Sequence, residues 1–114
     1  GMMTAKAMAA SDILSKSGIK ARVVHLPTIK PIDVGAIVKA AQETAGIVSV
    51  ENHSIIGGLG SAVAEVLVEN YPARMKRIGL RDHFGESGDN EAIFSKYKMN
   101  VNDIVGAAKE LLQD

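Results

Sequence analysis

The chain has 114 residues with thirteen basic and thirteen acidic side chains, so one domain is expected, and no charge excess argues for nucleic acid or an anionic membrane as partner. It has no cysteine, which excludes disulfides, thiolate chemistry and cysteine-held metals and suits a cytoplasmic protein. Hydrophobic residues make up 46%, an ordinary globular level, yet no apolar run reaches the roughly 18–20 residues of a membrane span.

Residues 3–17 contain no helix breaker, carry apolar Met8, Ala9, Ile13 and Leu14, and end at Gly18, where a helix terminator belongs. A helix is expected there. A-R-V-V-H-L is β-branched and apolar and is stopped by Pro27, so a strand is expected over residues 20–26. Asp33 is placed to cap a second helix, whose face Ile37, Ala40, Ala41 and Thr44 share and which Gly46 should end. I-V-S-V predicts a strand over 47–51. Leu59, Ala62, Val63, Val66 and Leu67 then repeat at helical spacing as far as Tyr71-Pro72. M-K-R-I-G-L predicts a strand over 75–80, F-G-E-S-G a loop over 84–88, and a short helix follows over 90–97. Asn100 should cap a last helix with Val101, Ile104, Val105, Ala108, Leu111 and Leu112 on one face.

Strand starts near 20, 47 and 75 leave room for a crossover helix each time. The expected fold class is α/β, a three-layer α/β/α arrangement of one domain over residues 1–114 with a mainly parallel sheet. The order is unusual. A chain of this class commonly opens on a strand, whereas this one opens on a helix, as though it began one strand late.

Ligands in open α/β sheets gather at the carboxyl ends of strands. His25, His53 and His83 all fall at such ends. Polar residues are also expected wherever strands reach water, and that reading is preferred to an anion- or partner-binding edge. A three-histidine zinc site would need convergence that nothing in the spacing suggests, so no metal site is assigned.

E-N-H-S-I-I-G-G-L-G-S over residues 51–61 joins a strand to a helix through a glycine cluster. A dinucleotide fingerprint needs a third glycine where Val63 stands, and a P-loop needs a lysine that is missing. Free amides at the helix start could hold an anion, with His53, Ser54, Gly57, Gly58, Gly60 and Ser61 as the candidate anion or interface residues. The same glycines equally permit a tight turn with positive φ and close helix–strand packing, and the turn is the preferred reading. Ser54 and Ser87 lie in no nucleophile elbow, and nothing marks Asp82 and Glu86 as an acid–base pair, so no catalytic residue is assigned.

Four segments in order, T28-I-K-P-I-D33, the block from Ile47 to Leu67, I78-G-L-R-D-H-F-G-E-S-G88 and the tail K96 to L112, resemble the C-terminal domain of transketolase over nearly the whole chain. The glycine block is shared with 1-deoxyxylulose-5-phosphate synthase and with the β subunits of 2-oxo acid dehydrogenases. T-I-K-P-I-D and F-G-E-S-G look more like transketolase. The resemblance implies a parent enzyme of the pentose phosphate pathway that moves two-carbon ketol units between sugar phosphates. Thiamine diphosphate and Mg2+ would be held by its other domains and not by this one. It implies a role in assembly, a dimer, and partnership with the remaining domains or with a separate N-terminal subunit. The alternatives are the C-terminal domain of 1-deoxyxylulose-5-phosphate synthase or of a 2-oxo acid dehydrogenase β subunit, or a freestanding anion-binding module. The resemblance further implies an apolar strand just ahead of the first helix, lying between the strands at 20–26 and 47–51. Without it those two strands either close on each other or leave a gap to be filled, and the gap is the expected outcome.

Overall fold

The computed structural model describes residues 2–54, 56–80, 91–96 and 98–113, with side chains left aside at 53, 54 and 91–93. The described elements are α1 (Met2–Lys16), α2 (Val34–Glu43), β1 (Ile47–Ser54), α3 (Leu59–Asn70), β2 (Met75–Leu80), α4 (Glu91–Lys96) and α5 (Val101–Gln113). β1 and β2 pair in parallel, with Ile47 opposite Met75 and Val50 opposite Ile78. Helix α3 makes the crossover between them.

The sheet separates two apolar layers. Val48, Val50 and Ile78 pack against the cluster of Ala10, Leu14, Ile104 and Val105, which puts α1 and α5 on one face. Ile47 and Met75 pack against Ile37, Ala41, Val63, Val66 and Leu67, which puts α2 and α3 on the other. A third cluster of Met3, Leu80, Phe94 and Met99 closes the carboxyl end of β2. This is the expected three-layer α/β/α arrangement.

Local chemistry sets the helix ends. At the end of α1, Gly18 N–H donates to the Ser15 carbonyl (3.0 Å) and Ile19 N–H to the Leu14 carbonyl (2.9 Å), a Schellman closure. Ile19 then packs into the same cluster as Leu14. The Asp33 carboxylate accepts from Ala36 N–H at 3.0 Å, as its position predicts. Helix α2 ends at Glu43, before Gly46, where the Thr44 hydroxyl donates to the Ala40 carbonyl at 2.7 Å. At the start of α5, Asp103 accepts from Asn100 N–H at 2.9 Å, the returning half of a capping box. The Asn100 side chain turns away from the helix, accepting from Lys6 Nζ and donating to Ser95 Oγ, each at 2.9 Å. Leu112 is exposed although its spacing places it inward, and Ala107 is buried instead.

The one element that departs from expectation is the strand over 20–26. Residues 19–28 run without helix, turn or bend, but they join no sheet. Their described backbone makes no hydrogen bond to β1. The segment is held from outside: Ser11 Oγ donates to the Ala21 carbonyl at 3.0 Å, and Arg22 pairs with Glu43 at 2.7 Å. The reason is geometric. A cleft of about 460 Å³ lies between this segment and β1, lined by both. The β-rich residues are present and their ladder partner is not.

Candidate functional site

β1 runs beyond its expected end at residue 51 to Ser54, and α3 begins at Leu59. The N-cap of α3 is Gly58, which has no side chain to satisfy the free amides of the first turn. Glu51 supplies what is missing. It is 8% exposed, and its two carboxylate oxygens accept from Leu59 N–H at 2.9 Å and from Gly60 N–H at 2.8 Å. A buried negative charge therefore faces the positive end of the helix dipole.

Two glycines make this approach possible. Gly57 has φ +73°, where an L side chain is strained, and its N–H donates to Ser61 Oγ at 3.1 Å. Gly60 has ordinary φ but no room: a Cβ there would stand 2.9 Å from Ser49 Oγ, 2.9 Å from Arg77 Cδ and 3.0 Å from the Glu51 carboxylate. Gly58 is extended with φ −95°. The turn thus has one position of required backbone freedom and one of required close approach. Ser49 Oγ is buried beneath it with no hydrogen-bond partner.

Of the six candidate residues, Gly57, Gly58, Gly60 and Ser61 come together at the start of α3. His53 and Ser54 lie on the last residues of β1, and their side chains fall outside the described ones. His25 is exposed on the unpaired segment. Residues 81–90, which include His83, Asp82, Glu86, Ser87 and the F-G-E-S-G segment, also lie outside the described residues. An added anion at the start of α3 would meet the Glu51 carboxylate, which already accepts from two of its amides. Sequence patterns did not single out Glu51, because the contact spans eight and nine residues and matches no local capping motif. The signal available was a strongly periodic helix with glycine at its N-cap. Among the described residues no three His, Cys, Asp or Glu stand close enough to hold a metal ion. No described helix is long and apolar enough to cross a membrane.

Comparison with known proteins places this geometry in context. The family profile for transketolase, C-terminal domain, matches residues 1–104. The 6-deoxy-6-sulfo-D-fructose transketolase subunit SqwH of Clostridium sp. (strain MSTE9) is 42% identical over 113 residues, covering 99% of this chain and 35% of that protein. The 1-deoxy-D-xylulose-5-phosphate synthase of Heliobacterium modesticaldum (strain ATCC 51547 / Ice1) is 37% identical over 112 residues, covering 97% of this chain and 17% of its own length. A solved structure described as a split-gene transketolase, inactive beta4 tetramer, superposes with a TM-score of 0.89 at 46% identity, covering 99% of this chain and 36% of that one. The chain therefore spans 35% or less of the curated relatives cited here.

Proposed function

Because this chain belongs to the transketolase C-terminal-domain family, we propose that it acts as the C-terminal domain of a transketolase in which it supports assembly and does no chemistry alone. The whole enzyme would move a two-carbon ketol unit between sugar phosphates in the cytoplasm, as a dimer, with thiamine diphosphate and Mg2+. The observation that carries this reading is the match of essentially the entire chain to about a third of a transketolase subunit. The described residues do not fit the metal: Glu51, the buried carboxylate, is committed to helix amides, and no acid cluster accompanies it. In this reading the coenzyme and its metal belong to the remaining polypeptide, whether joined to this chain or a separate subunit.

The test uses the Clostridium relative. Deleting its matching region should abolish assembly and activity of the transketolase of which it is a subunit, and grafting residues 2–113 of this chain in its place should restore assembly. The purified chain, given thiamine diphosphate, Mg2+ and a ketose phosphate, should show no ketol transfer. Turnover by the chain alone, or a truncated relative that assembles normally, would refute the proposal. A second reading, the corresponding domain of a 1-deoxy-D-xylulose-5-phosphate synthase, is favoured by the 37% identity to that enzyme. The product of the whole enzyme, a transferred ketol unit or a deoxyxylulose phosphate, separates the two.

A further inference from the structure

Helix α3 buries one side and leaves the other bare. Val63, Val66 and Leu67 turn inward, against the sheet and α2. On the outward side Val68 is 75% exposed and Tyr71 is 40% exposed. Ala64, Val68 and Tyr71 stand at i, i+4 and i+7, so they form one stripe along the helix. Ser61 belongs to the same side, and its hydroxyl accepts from Gly57 N–H at 3.1 Å. That bond holds the turn carrying Ile56, itself 71% exposed, at the head of the stripe. Val68 and Ile56 are the two most exposed large apolar side chains among the described residues. A lone exposed valine is ordinary, but two such side chains and a tyrosine on one helix face make a patch.

The stripe is flanked by charge of one sign. Glu65 and Glu69 lie along one side of it, one turn apart, and like charges at that spacing oppose the helix. α3 carries no lysine or arginine to offset them, and neither carboxylate joins an ion pair among the described residues. Ala64, Glu65, Val68 and Glu69 surround a shallow depression in this face. They occupy i, i+1, i+4 and i+5, the four positions that form a hole for one side chain of a facing helix.

These features narrow the occupant. Phosphate-bearing surfaces, nucleic acid and anionic membrane alike, are repelled by the two carboxylates. A second copy laid α3 against α3 would add two more carboxylates and no base, so self-pairing through this face is disfavoured. An extended strand gains no backbone bonds here, because the amides and carbonyls of a helix are already paired with each other, and its own would be left unsatisfied. A helix brings its backbone already satisfied. The twelve residues of α3 rise about 18 Å, a contact length that a facing helix of about the same size covers.

We propose that the outer face of α3 is a docking surface for a basic amphipathic helix of another polypeptide, which seats apolar side chains along Ile56 and Val68 and sets lysine or arginine against Glu65 and Glu69. Tyr71, at the end of the stripe, is the kind of aromatic side chain that contributes strongly at the centre of interfaces. The proposal rests on this face and not on the enzymatic reading, and its readout involves no ketol transfer.

The probe is a synthetic helical peptide of about 18 residues, with leucine at helical spacing and lysine along one flank of the leucine stripe, titrated into the 114-residue chain and followed by NMR. Amide signals of Ala64, Glu65, Val68 and Glu69 should move, and those of α1 and α5 should not. The double variant Glu65→Lys with Glu69→Lys should bind this peptide about tenfold or more weakly. A second peptide with glutamate in place of lysine should bind that variant and not the parent, a rescue that also shows the variant is folded. Val68→Asp should weaken the lysine peptide on the parent background. Signal changes spread over other elements, or equal affinity of parent and double variant for the lysine peptide, would overturn the proposal. So would self-association of the parent chain in sedimentation that Val68→Asp abolishes, since a second copy would then be the occupant.

Discussion

Replacing Glu51 tests the cap at the start of α3 most directly. Its carboxylate is the acceptor for two amides, and the N-cap residue Gly58 offers no substitute. Glu51→Ala leaves Gly60 N–H buried with no acceptor and Leu59 N–H partly so. An orphaned buried donor costs about 1–3 kcal/mol, and loss of a cap alone about 0.5–2 kcal/mol. Together with the lost charge–dipole attraction, a destabilisation of about 2–4 kcal/mol is expected. Against a total stability of about 5–15 kcal/mol this is a large fraction. At about 4 °C per kcal/mol for a chain of this size, the melting midpoint should fall by roughly 8–16 °C. Glu51→Gln keeps the shape and one acceptor but turns an NH2 group toward the second amide, so about half the loss is expected, near 1–2 kcal/mol. Urea denaturation with a common m-value measures all three proteins. A Glu51→Ala unfolding free energy within about 0.5 kcal/mol of the parent would show that the helix start does not depend on this carboxylate.

Inorganic phosphate should raise the melting midpoint of Glu51→Ala more than that of the parent, since it can reach the vacated amides; equal shifts would place any phosphate elsewhere. Gly60→Ala should destabilise by about 2 kcal/mol or more and Gly57→Ala by about 1 kcal/mol, with Gly58→Ala the mildest, an order that calorimetry checks and that reversal of the first and last would contradict. Leu14→Ala, at a side chain 2% exposed beneath α5, should cost about 2–5 kcal/mol in chemical denaturation; a cost below 1 kcal/mol would mean α1 is not seated as described. The Arg22 hydrogen bond, reinforced by Lys39, holds the Glu43 carboxyl below its ordinary range. A depressed folded value means the ion pair contributes above the unfolded-state value and stops contributing as pH falls through the folded one. An NMR titration of Glu43 should therefore have its midpoint below that of an ordinary glutamate and move up in Arg22→Met; no movement would remove Arg22 as the cause.

Helices with a clear period were legible from sequence because their determinants are local. Val63, Val66 and Leu67 are buried where their spacing puts them, and Asp33 caps where its position predicts. β2 falls on residues 75–80 as expected. The misses share one cause, contact between residues distant in sequence. Residues 20–26 have strand-forming side chains, but a strand also needs a hydrogen-bonded neighbour, and no local pattern states whether one is beside it. Glu51 reads as a polar residue at a strand end until α3 folds back over it. At the glycine cluster, composition announced a turn but not which glycine mattered for backbone and which for space. Gly57 and Gly60 divide those roles, and only the positions of Ser49 and Arg77 reveal the second.

Helices α1, α3 and α5 all begin at the carboxyl edge of the sheet, so the positive ends of three peptide dipoles, each worth about half a charge, point the same way. Glu51 sits against the start of α3 and Asp103 against that of α5. At the opposite edge, Lys16 lies in the last turn of α1 and Arg74 donates to the Leu111 carbonyl near the end of α5 at 3.0 Å. Glu51, Asp103 and Arg74 each meet a helix end by a direct hydrogen bond, in a chain whose formal net charge is zero. At ordinary ionic strength the Debye length of about 10 Å confines what each exposed helix end contributes to its own neighbourhood. The zero formal net charge gives a large partner no net monopole attraction to this chain, so its docking should respond more weakly to added salt than that of a strongly charged domain. Orientation on contact is then left to short-range charges and the shape of the apolar surfaces.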